Sequence, residues 1–337
     1  MSTITSSSPH VSPHVFALRD AYWDKHPIIT NDAKIATDAI RNAYALIKYD
    51  ARKKRSAIAF AADPLSGKSF ALEIIQRMLR RDFPDRGILA YEPWAKTNTN
   101  VTDINRRQVW VPPSAGGFYE SLLNAMGYQS KIQGSLEGKR EQVRKAMRTL
   151  ALPGMHLFFL IDEAQDLIEP EFCWLKQLIN NLARQHGIGV TVVLFGQREL
   201  IKIRDFLRIH ARSDLDGRFT LKMYAFEKML GVEPLKQFLK GGDSGSEFPE
   251  GTGLSYTNFL WPVAFSCGFR LVSQAENFWM ALLACEPKSK TGNGIEMQWI
   301  AEALSEFAET TRKLDSPDFA PNLALWKDAV TKCRYGR

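Results

Sequence analysis

Residues 56–69 read SAIAFAADPLSGKS. The opening run Ser56–Ala61 is small and apolar, the composition of a strand buried on both faces. The residues after it match the pattern GxxxxGK[ST] at Gly67, Lys68 and Ser69. That pattern describes a loop between strand and helix whose backbone N–H groups cradle phosphates, and a helix is predicted over 68–81. Its N-terminus adds a dipole that favours anions. Lys68 is placed to reach the β- and γ-phosphates of a nucleotide, and the Ser69 hydroxyl to bind Mg²⁺. Ala62 stands where the pattern opens on glycine; if that position needs positive φ, alanine costs about 1 kcal/mol. The candidate ATP-binding segment is thus Ala62, Asp63, Pro64, Leu65, Ser66, Gly67, Lys68, Ser69 and Phe70. A GKS triplet also recurs by accident, so a second signal has to carry the reading.

Residues 157–165, LFFLIDEAQ, supply it. The most apolar run in the chain ends in two acids, the partner that a phosphate loop needs. Asp162 would hold Mg²⁺ through its water shell, and Glu163 would orient and deprotonate an attacking water. The next apolar run, Gly189–Phe195, leads into Gly196-Gln197. A polar side chain there can meet the lytic water or the terminal phosphate. A plain turn residue remains the alternative for Gln197.

Around these signals the chain alternates strands and helices. Strands are predicted at 56–61, 87–92, 108–111, 157–161 and 189–195, with helices over 68–81, 117–126, 140–150 and 172–185. That alternation argues for a parallel sheet in a three-layer α/β/α sandwich. Beyond residue 225 the strand signal fades. Residues 241–253, GGDSGSEFPEGTG, read as a loop, and helices are expected over 254–266, 270–285 and 295–313. Before the core, 16–50 reads as helical with a break at Pro27, and Asp32 and Thr37 are candidate caps. The division expected is a disordered tail at 1–14, a helical extension at 15–55, an α/β core at 56–225, a helical lid at 226–313 and a tail at 314–337. Within that tail, the amphipathic stretch Leu323–Cys333, with Leu325 and Trp326, is a candidate docking peptide or a segment packed on the lid.

The 45% hydrophobic and 24% charged residues are the mix of a globular protein. With 44 Lys+Arg against 37 Asp+Glu, the net charge of +7 permits a polyanionic partner without demanding one. Cys173, Cys267, Cys285 and Cys333 form no CxxC pair, so neither a zinc knuckle nor a disulfide framework is expected. No run is long and apolar enough to span a bilayer, and the start MSTITSSSPHVSPH has no signal-peptide pattern. No membrane partner and a cytoplasmic location are the expectations.

Arginines follow Gln197. Arg218, in DLDGRF, is the first candidate for reaching a phosphate on a neighbouring subunit, and Arg212 the second. Arg270, in CGFR at the start of a lid helix, is a candidate contact to phosphate within its own subunit. For each, a surface or ion-paired arginine is an equal alternative.

AADPLSGKS, LFFLIDEAQDL, VVLFGQREL and RSDLDGRF, in this order and spacing, resemble the TnsC/TniB family of AAA+ transposition regulators over roughly residues 30–285. MuB and secretion ATPases of the ExeA type are more distant likenesses. The resemblance implies an AAA+ P-loop NTPase with a C-terminal helical lid, binding ATP and Mg²⁺ at Lys68, Ser69, Asp162, Glu163 and Gln197, with Arg218 and Arg270 as further contacts. It implies a bacterial, nucleoid-associated protein that polymerises with itself on double-stranded DNA as rings or helical filaments. Such a protein connects a TniQ-type target selector to a transposase, and hydrolysis, weak until a partner stimulates it, dismantles the assembly. Two basic stretches then become candidate DNA contacts: Lys96, Thr97, Arg106 and Arg107 in one, and Lys131, Lys139 and Arg140 in the other. On charge alone these are solvated faces; the resemblance is what turns them toward phosphates. Three other readings stay open: an ATPase of the same fold acting on protein partners, another AAA+ DNA-loading factor, and a non-hydrolysing switch, against which Glu163 argues.

Overall fold

A computed structural model of the protein describes residues 11–53, 55–93, 114–286 and 294–333. In sequence order the elements are α1 (Pro13–Tyr22), α2 (Asp38–Asp50), β1 (Arg55–Ala62), α3 (Lys68–Asp82), β2 (Gly87–Tyr91), α4 (Ala115–Ala125), α5 (Leu136–Ala151), β3 (His156–Ile161), α6 (Glu169–His186), β4 (Gly189–Gln197), α7 (Glu199–Ile209), a short turn α8 (Ser213–Leu215) and β5 (Met223–Phe226). Helices follow: α9 (Val232–Ser244), α10 (Tyr256–Leu260), α11 (Pro262–Ser266), α12 (Ala275–Cys285), α13 (Met297–Thr311) and α14 (Leu323–Lys332). The protein divides into two compact units. One comprises Asn42–Pro64 and Lys68–Phe226; the other comprises Met1–Arg41, Leu65–Gly67 and Glu227–Arg337.

The first unit is built on a five-stranded parallel sheet in the order β2-β3-β4-β1-β5. β3 is buried at every position, as its unbroken apolar run requires of a strand covered on both faces. Side chains alternate across the sheet. Ala57, Ala59, Leu157, Phe159, Val190 and Val192 share one core with α4, α5 and α6. Phe60 and Phe195 stack with ring centroids 4.8 Å apart, and Phe83, just after α3, packs 5.4 Å from Phe158. Tyr44 and Lys48 of α2 both donate to Asp82 Oδ2 at the end of α3, at 2.7 and 2.6 Å. The expected three-layer α/β/α core is therefore present.

Two elements differ from expectation here. β5 was not anticipated; it is four residues long and half exposed, so it carries no apolar run. α7 likewise escaped the reading, although Leu200 and Leu207 are buried. The strand expected at 108–111 lies outside the described residues.

The second unit is helical, and aromatic rings fill it. Trp326 of α14 lies 3.7 Å from the Phe307 ring at an interplanar angle of 3°, and 4.2 Å from Phe278. Its indole is fully buried. Of the two readings of this stretch, docking or packing, packing within its own unit is the one observed. Residues 241–244 close α9 rather than opening a loop, because Asp243 is buried and accepts from Thr257 Oγ1 and from Leu271 N and Val272 N, at 2.7, 2.8 and 3.0 Å. Asp315 takes Arg19 at 3.0 Å and the N–H groups of Val263 and Ala264 at the start of α11. Thr37 caps α2 by accepting from Ile40 N at 3.3 Å, whereas Asp32 pairs with Lys34. No described helix is long and apolar enough to cross a membrane, and Cys173, Cys267 and Cys285 are free thiols.

At the N-terminal edge of the sheet, His156 Nε2 shares a hydrogen bond with Thr191 Oγ1 at 3.0 Å, and that hydroxyl meets Ser56 Oγ at 3.2 Å. Burial, with the Arg86 charge, pushes the His156 pKa down to about 4 from an ordinary 6.5. A depressed folded pKa means that the unfolded state binds a proton the folded state refuses. The stabilisation is therefore complete above pH 6.5 and is lost as pH falls toward 4. Between pH 7 and 4.5 the native protein should lose about 2 kcal/mol more than a His156→Gln variant, from urea midpoints at both pH values. Equal losses would contradict the assignment.

Candidate active site

Parallel strands bring their C-terminal ends to one edge, where ligands of open α/β sheets bind. β4 lies between β1 and β3, so three sequence-distant tips become neighbours. Ala62 pairs with Gln197, and Ile161 with Leu194. Past Ile161 the pairing extends one step further, with Asp162 N donating to Tyr91 O at 2.9 Å.

The phosphate loop runs from the end of β1 into α3. Leu65 and Gly67 have φ of +61° and +85°. Ala62 is buried as the last residue of β1 and has no positive φ. The cost expected at Ala62 therefore falls on Leu65, which bears a side chain in left-handed backbone and leaves it exposed. Lys68 opens α3 and is buried, whereas Ser69 beside it is exposed and Phe70 half-buried. Ser66 Oγ is buried and finds no hydrogen-bond partner among the described residues. A buried ammonium at a helix N-terminus is a donor that fits a phosphate group. The hard oxygens of Ser69 and Asp162 fit Mg²⁺.

Glu163 occupies the centre. Its backbone is left-handed, with φ 44° and ψ 42°, at the start of the 3-10 turn Ala164–Asp166. Such an outlier on a β3 tip marks a position held for its side chain. Glu163 Oε1 lies 3.6 Å from Lys68 Nζ. Glu163 Oε2 accepts from Gln165 Nε2 and, at 3.3 Å, from Gln197 Nε2. Asp162 Oδ1 accepts from Glu163 N at 2.9 Å. The structure thus gathers Lys68, Glu163 and Gln197.

Sequence reasoning assigned no role to Gln165. It bridges the two strand tips, accepting from Gln197 N at 2.8 Å through Oε1 while donating to Glu163. Gly196 makes room for it, since a Cβ there would lie 2.8 Å from Gln165 Oε1. A second strap, Arg198 Nη2 to Asp63 Oδ2 at 3.0 Å, joins the end of β4 to the phosphate loop.

The arginines separate. Arg212 donates to Asp214 Oδ1 and to Cys173 Sγ, each at 3.0 Å, and pairs with Glu169. Arg218 lies half-buried in the π-helical turn Asp216–Thr220. Arg270 donates to the carbonyls of Phe265 and Phe269 at 2.9 and 2.7 Å. Of the basic stretches, Lys96, Thr97, Arg106 and Arg107 lie outside the described residues. Lys131 is exposed in a loop. Lys139 and Arg140 are in the first turns of α5, not in a loop; Lys139 pairs with Glu120, and Arg140 meets Glu137.

Residues 51–203 match the AAA domain family, and that span holds β1 to β4 with the whole Lys68–Glu163–Gln197 cluster. With the parallel sheet and the helical C-terminal region, the fold class is that of AAA+ P-loop NTPases. Solved structures similar to this protein include domain III of the replication initiation protein DnaA from Thermotoga maritima, at 19% identity and a TM-score of 0.38, over 80% of this chain and 92% of that one. Cdc6p from Pyrobaculum aerophilum is similar at 9% identity and a TM-score of 0.47, over 93% of this chain and 66% of that one. AMPPCP-bound DnaA from Aquifex aeolicus is similar at 13% identity and a TM-score of 0.37, over 89% and 88%. No curated protein sequence matches.

The loop geometry sets a direct expectation. Ala62→Gly, which restores the motif's first glycine, should destabilise by about 1 kcal/mol, because it loosens a buried strand end and relieves nothing. Leu65→Gly should hold or raise stability by up to about 1 kcal/mol, since strain relief offsets the added backbone entropy. Thermal unfolding of both variants decides, and the reverse order would contradict the assignment of strain.

Proposed function

We propose that the protein is an ATPase whose nucleotide state controls its assembly on double-stranded DNA, as a regulator of transposition linking a target-selection protein of the TniQ type to a transposase. The observation that carries the ATPase part is the meeting of Lys68, Glu163 and Gln197 at three adjacent strand tips. Bound Mg²⁺ and ATP would supply the divalent charge and the phosphoryl group under attack. Lys68 and the N–H groups of the loop hold the phosphates, with Ser69 and Asp162 as the oxygen donors to the metal. Glu163 accepts a proton from water, and the amides of Gln165 and Gln197 fix which way its carboxylate points. Arg212 is committed to Glu169, Asp214 and Cys173. Arg218, the first candidate from its place in DLDGRF, is the residue we assign to a phosphate bound by a neighbouring subunit. Arg270 donates to carbonyls of its own unit.

Self-assembly has support in the same stretch of sequence. Ile209 and Leu221 are 80% and 64% exposed, and Phe206 is exposed beside them in sequence. Exposed apolar side chains grouped in this way suit a subunit interface. The DNA part rests on the likeness of four motifs to transposition regulators, and on Lys131 with the basic residues of 96–107 as phosphate contacts. An ATPase acting on protein partners alone is the second reading.

Binding of a labelled random-sequence duplex separates them, with ATP, ADP, a slowly hydrolysed analogue or no nucleotide, and with negative-stain images of the same samples. The proposal expects binding with ATP or the analogue only, and rings or filaments on the duplex. Lys131→Ala should weaken binding and lower its salt dependence by about one charge. Nucleotide-independent binding, or none by a protein that binds ATP, would move the function to protein partners.

A further inference from the structure

Away from the strand tips, the α/β unit carries a cavity of about 100 Å³. Its walls are Tyr119 of α4, Glu137, Arg140 and Arg144 of α5, and Gln177, Leu178 and Asn181 of α6. The two arginines are four residues apart, so one face of α5 presents both. The Arg140 guanidinium stands 5.7 Å from the centroid of the buried Tyr119 ring. Its Nε is buried and has no hydrogen-bond partner among the described residues. A buried guanidinium N–H without an acceptor is costly. The acidic neighbour of Arg140 is Glu137, which touches it at a long 3.5 Å from a side chain that is 73% exposed. Arg144 is held in place by Glu141 and by Gln185 Oε1, the latter at 3.2 Å. The amides of Gln177 and Asn181 add neutral donors from the opposite wall.

We propose that this pocket binds a single carboxylate of a protein partner, either an Asp or Glu side chain or the partner's C-terminal carboxylate. The planar fork of a guanidinium matches a carboxylate in two parallel hydrogen bonds. Tyr119 and Leu178 give the aliphatic stem behind that carboxylate an apolar wall. Glu137 is the group that the ligand displaces, exchanging one weakly held carboxylate for one better placed. A duplex backbone is the poorer fit. Phosphates are tracked by exposed cations along a surface, whereas a space of about 100 Å³ admits one terminal group. Glu137 and Glu141 beside the arginines oppose inorganic phosphate or a phosphomonoester, which carry nearly two charges, more than a singly charged carboxylate; a backbone phosphodiester is singly charged and is disfavoured by the size of the pocket alone. The site is separate from the nucleotide cluster and does not depend on that assignment.

The test uses the full-length protein and calorimetric titration with three blocked peptides: acetyl-Ala-Leu-Glu-amide, acetyl-Ala-Leu-Leu with a free C-terminus, and acetyl-Ala-Leu-Gln-amide. Inorganic phosphate and a short duplex serve as competitors. Binding of either carboxylate peptide, with the Gln peptide at least about tenfold weaker, is the expected result. Arg140→Gln and the charge-preserving Arg140→Lys should each weaken binding about tenfold while still unfolding cooperatively in urea, because lysine lacks the two-pronged geometry. Failure of both carboxylate peptides to bind would overturn the proposal, as would equal binding of the Gln peptide. Displacement of the peptide by phosphate or duplex at lower concentration would reassign the pocket to phosphates. If a variant misfolds, the Glu-against-Gln comparison on the native protein decides alone.

Discussion

A lysine ammonium buried at the first residue of a helix has to face negative charge, because an isolated charge removed from water is heavily penalised. Lys68 is in that position, and here the charge it faces is Glu163, 3.6 Å away. Most of the first unit can be read as the apparatus that makes this pairing geometric. β1 delivers the loop, β3 delivers the carboxylate, and β4 sits between them and supplies Gln197. The same lysine is the natural partner of an incoming phosphate. A competitor for Lys68 would free Glu163 for water while Gln165 and Gln197 still aim it. On the function proposed above, the ion pair couples the presence of a nucleotide to the readiness of the base.

The surrounding sheet keeps these groups rigid. β3 and β4 are buried along nearly their whole length, and side chains pack on both faces. Positions held by close-packed strands move little, so strain at Glu163, just past the end of β3, can persist where a longer loop would relax it. The opposite edge of the sheet, with His156, Thr191 and Ser56, binds nothing in this account and contributes stability instead.

What the sequence made legible follows from how local each signal is. Continuous apolar runs define β1, β3 and β4, and an acid pair at a strand end is visible without any fold. β5 was missed because an exposed edge strand has no run to detect. Gln165 was missed because its role exists only once β4 lies beside β3, a relation thirty-odd residues apart in sequence that no motif spacing encodes. The strain attached to Ala62 moved to Leu65 because the motif gives residue types, not the backbone angle at each position. Trp326, which the amphipathic pattern left open between docking and packing, is buried by rings from α12 and α13 that lie far from it in sequence.

The central claim is that Glu163 is the base of a hydrolytic site whose binding half is Lys68. Single-turnover hydrolysis of Mg²⁺·ATP, measured with nucleotide affinity on Glu163→Gln and Lys68→Ala, tests it most directly. The account predicts that Glu163→Gln keeps ATP affinity within a few-fold of native and loses at least about a hundredfold in turnover, while Lys68→Ala loses binding. Native-like hydrolysis by Glu163→Gln would contradict it and leave the cluster a nucleotide-sensing switch without catalytic chemistry.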